Sequence, residues 1–167
     1  ANPNLISFGA HTQNHTYLTS IPLDTVENEV ISNKQYLEDV LGSSIKHFCL
    51  PGGQYNREIL QILNKHFDTI RTADTMNFKN TNKLLKPSFH LYPREKKSLI
   101  FNALKHKSFS EVAQILTHNS LSYYDLISSI IDKDSKANDK TIIIWGHSWE
   151  LEEFNLWKYR SEERRVG

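Results

Sequence analysis

Two histidines near the start of the chain, His11 and His15, are the residues best suited to chemistry. They lie in the segment GAHTQNHTYLT, which has few core-forming residues. If the segment is helical, their i, i+4 spacing places both imidazoles on one side of a turn, close enough to bind one metal ion. The chain has eight histidines, so the same spacing also suits two independent surface histidines. The pair is a candidate metal site that depends on support from the rest of the sequence.

The composition argues against several classes of partner. The chain has 167 residues, enough to bury a core, and its length indicates one domain. Its formal net charge of +1, without a long run of one sign, implies neither nucleic acid nor an anionic membrane as a partner. The longest apolar run, at 142–145, is far shorter than the roughly 20 residues that cross a bilayer. The single Cys49 cannot form an intrachain disulfide.

Both ends of the chain carry unusual signals. The chain begins at Ala1 without a signal segment, so we expect the native start to lie upstream. Its last residues, RSEERRVG at 160–167, equal the translation of a common sequencing-adapter stretch, AGATCGGAAGAGCGTCGTGTAGGG. We therefore expect residues 1–159 to form the domain and residues 160–167 to be a non-native tail. The alternative is a frayed, charged helix end, and the codons of the source DNA distinguish the two.

The apolar pattern alternates strand-like and helix-like segments. Buried strands are predicted at 5–8, 47–50 and 69–72, and the run TIIIWGH at 141–147 is the best core strand. A helix is predicted from Asp24, with Asp24 and Glu27 as a capping box and Gly42 as its stop. Further helices are predicted around 59–67, 110–116 and 122–131, and residues 77–94 are predicted to be a long loop. Strands separated by helices predict parallel pairing in an α/β sheet or barrel.

Polar segments follow three of the predicted strands. They are HTQNH after the first, PGG after the second and GHSWE after the last. In parallel α/β folds, chemistry collects just beyond the carboxyl ends of the strands. The shared placement favours one functional site more than any single motif does.

These segments make the chain resemble a polysaccharide deacetylase of the NodB-homology type, carbohydrate esterase family 4, over roughly residues 5–159. HTQNH at 11–15 matches the family pattern H-[ST]-x-x-H, and CLPGG at 49–53 keeps the proline and final glycine of R-x-P-[aromatic]-G. WGH at 145–147 fits a hydrophobic residue followed two positions later by histidine, and WGHSWE is similar to a bacterial subgroup. The resemblance implies an incomplete, distorted (β/α) barrel that lacks its first strand or strands.

The resemblance implies a divalent metal, most simply Zn²⁺, held in part by His11 and His15. Two neutral imidazoles and a carboxylate make a three-ligand face with open positions. An ion held there would polarise an acetamide carbonyl and lower the pKa of a bound water, whose proton a nearby carboxylate takes.

The resemblance also implies roles in substrate handling. Backbone N–H groups after Pro51, at Gly52 or Gly53, would stabilise a tetrahedral oxyanion, although the two glycines also suit a plain tight turn. Trp145 would line the pocket for the acetyl methyl group. His147 would be the general acid that protonates the departing amine, and the alternative is a polar cap that ends a buried strand.

The other candidates near these segments are weaker. His90, in PSFHLYP, is equally consistent with a site residue and with a surface histidine. Glu150 is predicted to be a structural partner of a nearby histidine or backbone group. Trp149, Phe154 and Trp157 form a stripe that we expect to serve packing more than sugar stacking.

The sequence departs from the family pattern at the residues that complete the site. The Asp-Asp pair that gives the family its third metal ligand and its base is absent before the histidines, and residues 1–10 hold no acid. Cys49 stands at the family's arginine position, and no fourth-motif Asp-Trp arrangement is found near Asp74. We expect the missing pair to lie upstream, and this chain alone to be inactive.

The expected function of the intact protein is removal of acetyl groups from an N- or O-acetylated glycan. One alternative is a non-catalytic carbohydrate-binding relative, and another is an amide hydrolase that acts on a small substrate, because a fold does not fix a function. Proteins of this family usually work at the cell surface, in the periplasm or outside the cell. The glycan and the oligomeric state are left open.

Overall fold

The computed structural model describes residues 6–78, 83–117, 122–134, 142–153 and 155. Within them, no helix combines the length and the apolar character that a membrane crossing requires. The described residues form two compact units: residues up to 74 together with 83–86, and residues 75–78 together with those from 87 onward. The secondary structure comprises β1 Gly9–Ala10, α1 Leu23–Leu41, β2 His47–Cys49, α2 Arg57–His66, β3 Thr69–Arg71, β4 Leu84–Leu85, β5 Phe89–His90, α3 Lys96–Lys105, α4 Phe109–Thr117, α5 Tyr123–Asp134, β6 Ile144–Trp145 and α6 Ser148–Glu153.

The first unit contains a four-stranded sheet in the order β1-β2-β3-β4. Every neighbouring pair is parallel, and the register places Ala10 beside Phe48, and Phe48 beside Ile70. Helix α1 connects β1 to β2, and α2 connects β2 to β3. The prediction of parallel strands linked by helices in an α/β fold is therefore confirmed, and strands β2 and β3 end within one residue of their predicted bounds.

Helices α1 and α2 each bury one apolar stripe in the core of this unit. Val26 and Val30 of α1, and Ile59 and Leu63 of α2, are four positions apart and almost fully buried. This spacing repeats close to the helical period, so each pair faces the same side. The sheet and its flanks contribute the other core residues, Ala10, Leu18, Ile45, Phe48, Leu50, Phe67 and Ile70.

The two ends of α1 agree with the sequence to different degrees. The predicted stop is confirmed: Gly42 takes the left-handed conformation, with φ of 62°, and its N–H donates to the Glu38 carbonyl oxygen at 2.9 Å. The predicted capping box is wrong, because Pro22 precedes the helix and no side chain caps it. Glu27 instead contacts His66 of α2, with 2.9 Å between Oε1 and Nε2. The carboxylate of Glu27, which the local pattern assigned to the helix end, therefore binds His66, a residue distant in sequence.

The first predicted strand is misplaced. Residues 6–8 are not strand, and the pairing begins only at Gly9. Ile6 and Phe8 are about half exposed, at 53% and 52%, because β1 is an edge strand with no described neighbour on its outer side. Glycine suits the start of this strand, since a Cβ at Gly9 would lie 3.1 Å from the His47 carbonyl oxygen. Ile6 and Phe8 line an apolar cavity of about 460 Å³ together with Leu41 and His47.

The second unit contains a two-stranded parallel sheet, β5-β6, and helices α3 to α6. Its core includes Phe89 and residues of three helices, Leu99, Ala103, Ile115, Leu126 and Ile130. Helices α4 and α5 confirm the predicted segments, whereas α3 was not predicted. The predicted loop at 77–94 contains two short strands, β4 and β5, so that prediction is wrong in part.

The run at 141–147 is not the core strand that its composition predicts. Only Ile144 and Trp145 pair, and Ile144 is exposed. The run has β5 as its single described strand partner, so much of it has no sheet neighbour to bury it. Outside the described residues lie Leu5, Thr141, Phe154, Trp157 and the tail at 160–167.

The PGG segment forms a tight turn after β2. Gly52 has a non-helical φ of 61°, and the turn is closed by the Gly53 N–H donating to the Leu50 carbonyl oxygen at 2.9 Å. Gly53 has a φ of +69°, and a Cβ there would lie 2.4 Å from the backbone nitrogen of Ala73. Gly42 has a similar φ of +62°, but a Cβ there would meet nothing within 4 Å. Both glycines therefore have a positive φ, but only Gly53 lies where a Cβ would meet a neighbouring atom.

Replacing Gly53 by alanine is predicted to destabilise the first unit more than replacing Gly42 by alanine. The positive φ costs about 1–2 kcal/mol at both sites, and the contact with Ala73 adds about 1–3 kcal/mol at Gly53 alone. Urea unfolding of Gly53→Ala, with Gly42→Ala as the matched control, measures the difference. Equal losses in the two variants would show that the close approach to Ala73 is unimportant.

Candidate functional site

The two histidines of the first motif lie together after β1. The ring centroids of His11 and His15 are 4.8 Å apart and the rings are nearly perpendicular, at 73°. The segment is not the helical turn that the spacing predicts, because Thr12 and His15 take positive φ values of 63° and 55°. Two left-handed residues bend the chain instead and bring the rings together. The predicted proximity is confirmed, and the predicted conformation is wrong.

The ring of His11 is oriented by the end of the neighbouring strand. Its Nδ1 lies 2.7 Å from the carbonyl oxygen of Cys49, and its backbone N–H donates to Asn33 Oδ1 at 2.8 Å. A carbonyl oxygen only accepts hydrogen bonds, so Nδ1 must carry the proton. In the neutral ring, Nε2 then carries the lone pair, which is the arrangement that metal-binding histidines use.

Glu29 of α1 holds the segment that carries His15. Its carboxylate accepts hydrogen bonds from the Asn14 backbone N–H at 2.8 Å and the Thr16 hydroxyl at 3.0 Å. Sequence reasoning missed this role, since nothing in the helical pattern of α1 marks Glu29. Among the described residues, the groups of three or more side chains that could hold a metal include neither His11 nor His15. The role of the pair as metal ligands stays a prediction, and no third ligand is grouped with it among the described residues.

Thr12, between the two histidines, has a buried hydroxyl. Thr12 is 5% exposed, and its Oγ1 has no hydrogen-bond partner among the described residues. A buried hydroxyl without a partner costs free energy unless a water or ligand satisfies it. The feature is therefore consistent with a bound polar species beside the histidine pair.

The PGG turn lies at the same sheet edge as the histidine pair. HTQNH follows β1 and PGG follows β2, and the two strands are parallel neighbours. A Cβ at Gly52 would lie 2.5 Å from the Tyr17 ring, and that ring contacts His15 edge-on with centroids 6.1 Å apart. The expected shared edge is confirmed for these two segments. The oxyanion role of Pro51–Gly53 stays a prediction.

Cys49, at the family's arginine position, is next to an arginine from β3. The register pairs Cys49 with Arg71, and Arg71 Nη2 lies 2.6 Å from Sγ. Burial raises the pKa of the Cys49 thiol, and the guanidinium of Arg71 opposes that shift. A guanidinium group is thus present beside the motif, although it comes from the neighbouring strand. Sequence reasoning missed it, and the parallel register of strands at 47–50 and 69–72 was the signal that could have found it.

The second unit gathers His90, His147 and Glu150 at the carboxyl ends of β5 and β6. Glu150 Oε2 accepts a hydrogen bond from the His147 backbone N–H at 2.9 Å, and lies 3.1 Å from His147 Nδ1 and 3.5 Å from His90 Nε2. The expectation that Glu150 is a partner of a nearby histidine or backbone group is confirmed, and it contacts one of each. His90 is 1% exposed, so the surface alternative for this residue is wrong.

Burial and charge set the ionisation of this group. Burial is the main cause that lowers the pKa of His90, although the negative charge of Glu150 opposes it. Burial alone would raise the pKa of Glu150, but the hydrogen bond from the His147 backbone and the nearby histidines lower it overall. The geometry therefore combines a neutral His90 with an ionised Glu150 near neutral pH.

Two tryptophans flank the His147 ring. Trp145 contacts His90 and His147 edge-on, with centroid distances of 4.3 and 5.3 Å. Trp149 stacks on His147 at 5.7 Å with an interplanar angle of 22°, and it is 57% exposed. One face of Trp149 thus packs on His147, and the packing stripe that it was predicted to form stays a prediction, because Phe154 and Trp157 lie outside the described residues. The role of Trp145 beside an acetyl group stays a prediction.

Several solved structures are similar to the chain. The Streptococcus pyogenes deacetylase PplD, in complex with acetate, is 28% identical with a TM-score of 0.43, over 48% of this chain and 37% of that chain. A CE4 family pseudoenzyme from Bacillus anthracis is 11% identical with a TM-score of 0.41, over 86% of this chain and 45% of that chain. The Xyl-CE4 domain of a multidomain xylanase from the hindgut metagenome of Trinervitermes trinervoides is 14% identical with a TM-score of 0.36, over 88% and 64%. The chain spans less than half the length of the first two.

A family model matches the part of the chain that carries the first two motifs. Residues 2–67 match the polysaccharide deacetylase model, a range that contains the histidine pair and the PGG turn. No curated protein matches the chain. The described fold agrees with the match, since α/β units with parallel strands carry both motifs at the carboxyl ends of the strands. Over residues 2–67 the chain is therefore similar to the polysaccharide deacetylase family.

Proposed function

We propose that the domain serves the metal-dependent removal of acetyl groups from an N- or O-acetylated polysaccharide. The observation that carries the proposal is the His11–His15 pair, whose ring centroids are 4.8 Å apart at the end of β1. The hydrogen bond from His11 Nδ1 to the Cys49 carbonyl oxygen supports it, because it leaves Nε2 as the ligand atom of the neutral ring.

The residues present fit part of a Zn²⁺ site. Two imidazoles, one of them fixed by a backbone carbonyl, are ligands that Zn²⁺ commonly takes, and a buried, unsatisfied Thr12 hydroxyl lies between them in sequence. When bound, the ion would supply Lewis acidity toward an acyl oxygen and toward water. A third ligand, which we expect to be a carboxylate, is not among the described residues grouped with this pair.

The other assigned residues act through their own groups. Gly52 and Gly53 leave the backbone after Pro51 without side chains on the turn. The Gly53 N–H closes the turn onto the Leu50 carbonyl oxygen, so the Gly52 N–H is the proposed donor to the oxyanion. In the second unit, His147 is the proposed donor of a proton to the departing amine, and Trp145 the proposed contact for the acetyl methyl group. These two assignments are supported by the sequence motif and by the contact between the two rings.

Two ligands hold a divalent ion weakly, so this chain by itself is proposed to bind metal without turning over substrate. The first alternative, a carbohydrate-binding relative without catalysis, is favoured by the same observation, because a two-ligand site lacks the carboxylate that a base requires. The two readings differ in what the chain does to a glycan in the presence of metal.

His11→Ala and His15→Ala are each predicted to weaken Co²⁺ or Zn²⁺ binding at least about tenfold, a loss of about 1.4 kcal/mol. Each variant removes one of two imidazole ligands, and a single imidazole gives little affinity. Titration calorimetry with Zn²⁺ and the visible absorption of Co²⁺ measure the effect on the full chain. His66→Gln is the matched control, because His66 contacts Glu27 in the same unit and has no proposed ligand role. Unchanged binding in both alanine variants would contradict the assignment of the metal pair.

The full chain is predicted to release no acetate above background from acetylated chitin oligosaccharides, acetylated xylan or small cyclic amides. The physical reason is that no carboxylate among the described residues is grouped with the histidine pair to complete the site and accept a proton from water. Acetate or amine release, measured with and without Zn²⁺ and with a chelator, tests this. Release that survives both the chelator and His11→Ala would contradict the proposal, and glycan binding without release would favour the carbohydrate-binding alternative.

A further inference from the structure

One carboxylate oxygen organises the histidines of the second unit. Glu150 Oε2 accepts from the His147 backbone N–H at 2.9 Å, and both His147 Nδ1, at 3.1 Å, and His90 Nε2, at 3.5 Å, approach the same atom. Glu150 is at the start of α6, three residues after His147, so one short segment presents both groups. His90 comes from β5, the parallel neighbour of β6.

The protonation of His90 follows from its other ring nitrogen. The Tyr92 backbone N–H donates to His90 Nδ1 at 3.0 Å, while the Tyr92 carbonyl oxygen lies farther away, at 3.2 Å. The shorter of these two contacts favours a lone pair on Nδ1, and in that tautomer of the neutral ring Nε2 carries the proton. Burial lowers the pKa of His90 and favours this neutral form. In this tautomer the protonated Nε2 of His90 lies 3.5 Å from Glu150 Oε2, and Nε2 has no hydrogen-bond partner among the described residues.

The same reasoning fixes the His147 ring. Its Nδ1 faces a carboxylate oxygen, which only accepts, so Nδ1 carries a proton and Nε2 carries the lone pair of the neutral ring. The side chain of His147 is 49% exposed, whereas that of Glu150 is 8% exposed. The buried carboxylate thus holds one side of the ring, and the ring as a whole is accessible to solvent.

These three groups have also the composition of a metal site. One ligand atom from each lies within 4.8 Å of the others. However, the hydrogen bond from Tyr92 places the His90 proton on Nε2, the atom that would have to bind the ion. Glu150 Oε2 is likewise engaged by the backbone N–H of His147. These contacts therefore favour support of His147 by Glu150 over a metal centre.

We propose that Glu150, steadied by His90, is a positioning residue that holds His147 with its proton on Nδ1 and its reactive nitrogen at Nε2. In the reaction, protonated His147 gives the Nε2 proton to the departing amine; an N–H bond forms on the amine, and the ring returns to the neutral state with Nδ1–H still on Glu150. The role of His147 in proton transfer rests on the proposed function. The position of the proton on the His147 ring does not.

Nitrogen NMR of the full chain with ¹⁵N-labelled histidine rings tests the proposal without substrate. At about pH 8, above the usual histidine pKa of about 6.5, His147 is expected to hold its proton mainly on Nδ1 and His90 on Nε2. In Glu150→Ala this preference of His147 is expected to disappear. In Glu150→Gln the tautomer ratio is expected to fall at least about threefold, because an amide oxygen is a weaker acceptor than a carboxylate. Glu153→Ala, on the same helix, is the matched control and should leave the ratio unchanged.

The ring signals separate this role from a merely structural one. If Glu150 only ends the strand and begins α6, its variants change stability and leave the His147 tautomer as it was, which would overturn the proposal. If Glu150→Ala does not fold, an unchanged ratio in Glu150→Gln has the same meaning. Addition of Zn²⁺ to the His11→Ala/His15→Ala double variant should leave the His90 signals in place, and metal-induced shifts of His90 and His147 together would overturn the proposal in favour of a metal site. None of these results depends on deacetylase activity.

Discussion

The hydrogen bond from the His11 ring to the Cys49 carbonyl oxygen depends on the parallel pairing of β1 with β2. In a parallel pair both chains leave the sheet at the same edge, so the residue after β1 reaches the last residue of β2 without a long connection. That one contact sets the ring orientation of His11 and places the first motif beside the PGG turn. Any change that shifts the register of β1 would move His11 away from its carbonyl partner before it altered either motif.

Carboxylates in the two units share a structural task. Glu29 of α1 accepts hydrogen bonds from the segment around His15, and Glu150 of α6 accepts them from His147. Each carboxylate accepts a hydrogen bond from a backbone N–H of a histidine-bearing segment. The same carboxylate thereby orients the histidine ring or the loop that carries it. In each unit, therefore, a carboxylate of a helix holds the segment of one exposed imidazole, His15 in the first and His147 in the second.

The sequence predicts the elements whose burial repeats with a regular period. Helix α1 was predicted with its stop because Gly42 and the Val26–Val30 stripe are local signals. The segment at 5–8 was misplaced because apolar composition indicates burial, whereas burial there depends on how many neighbours the strand has. Helix α3 was missed because its buried face is narrow, with Leu99 and Ala103 inside and Phe101 exposed.

The candidate site was predictable in its residue types and less so in its geometry. The proximity of His11 and His15 followed from spacing, yet it arises from two positive φ values that no local pattern indicates. Arg71 and Glu29 were missed, because their positions beside the motifs depend on strand register and helix packing and not on neighbours in sequence. Glu150 was predicted correctly as a partner because it is only three residues from His147.

The outer edge of β1 has a consequence for pairing with a further strand. In the described structure its backbone groups face no other strand, and Ile6 and Phe8 lie exposed beside a cavity of about 460 Å³. A free strand edge next to apolar side chains is a template on which another chain can add a strand. A strand added there would pair with the backbone of β1 and lie beside Ile6 and Phe8.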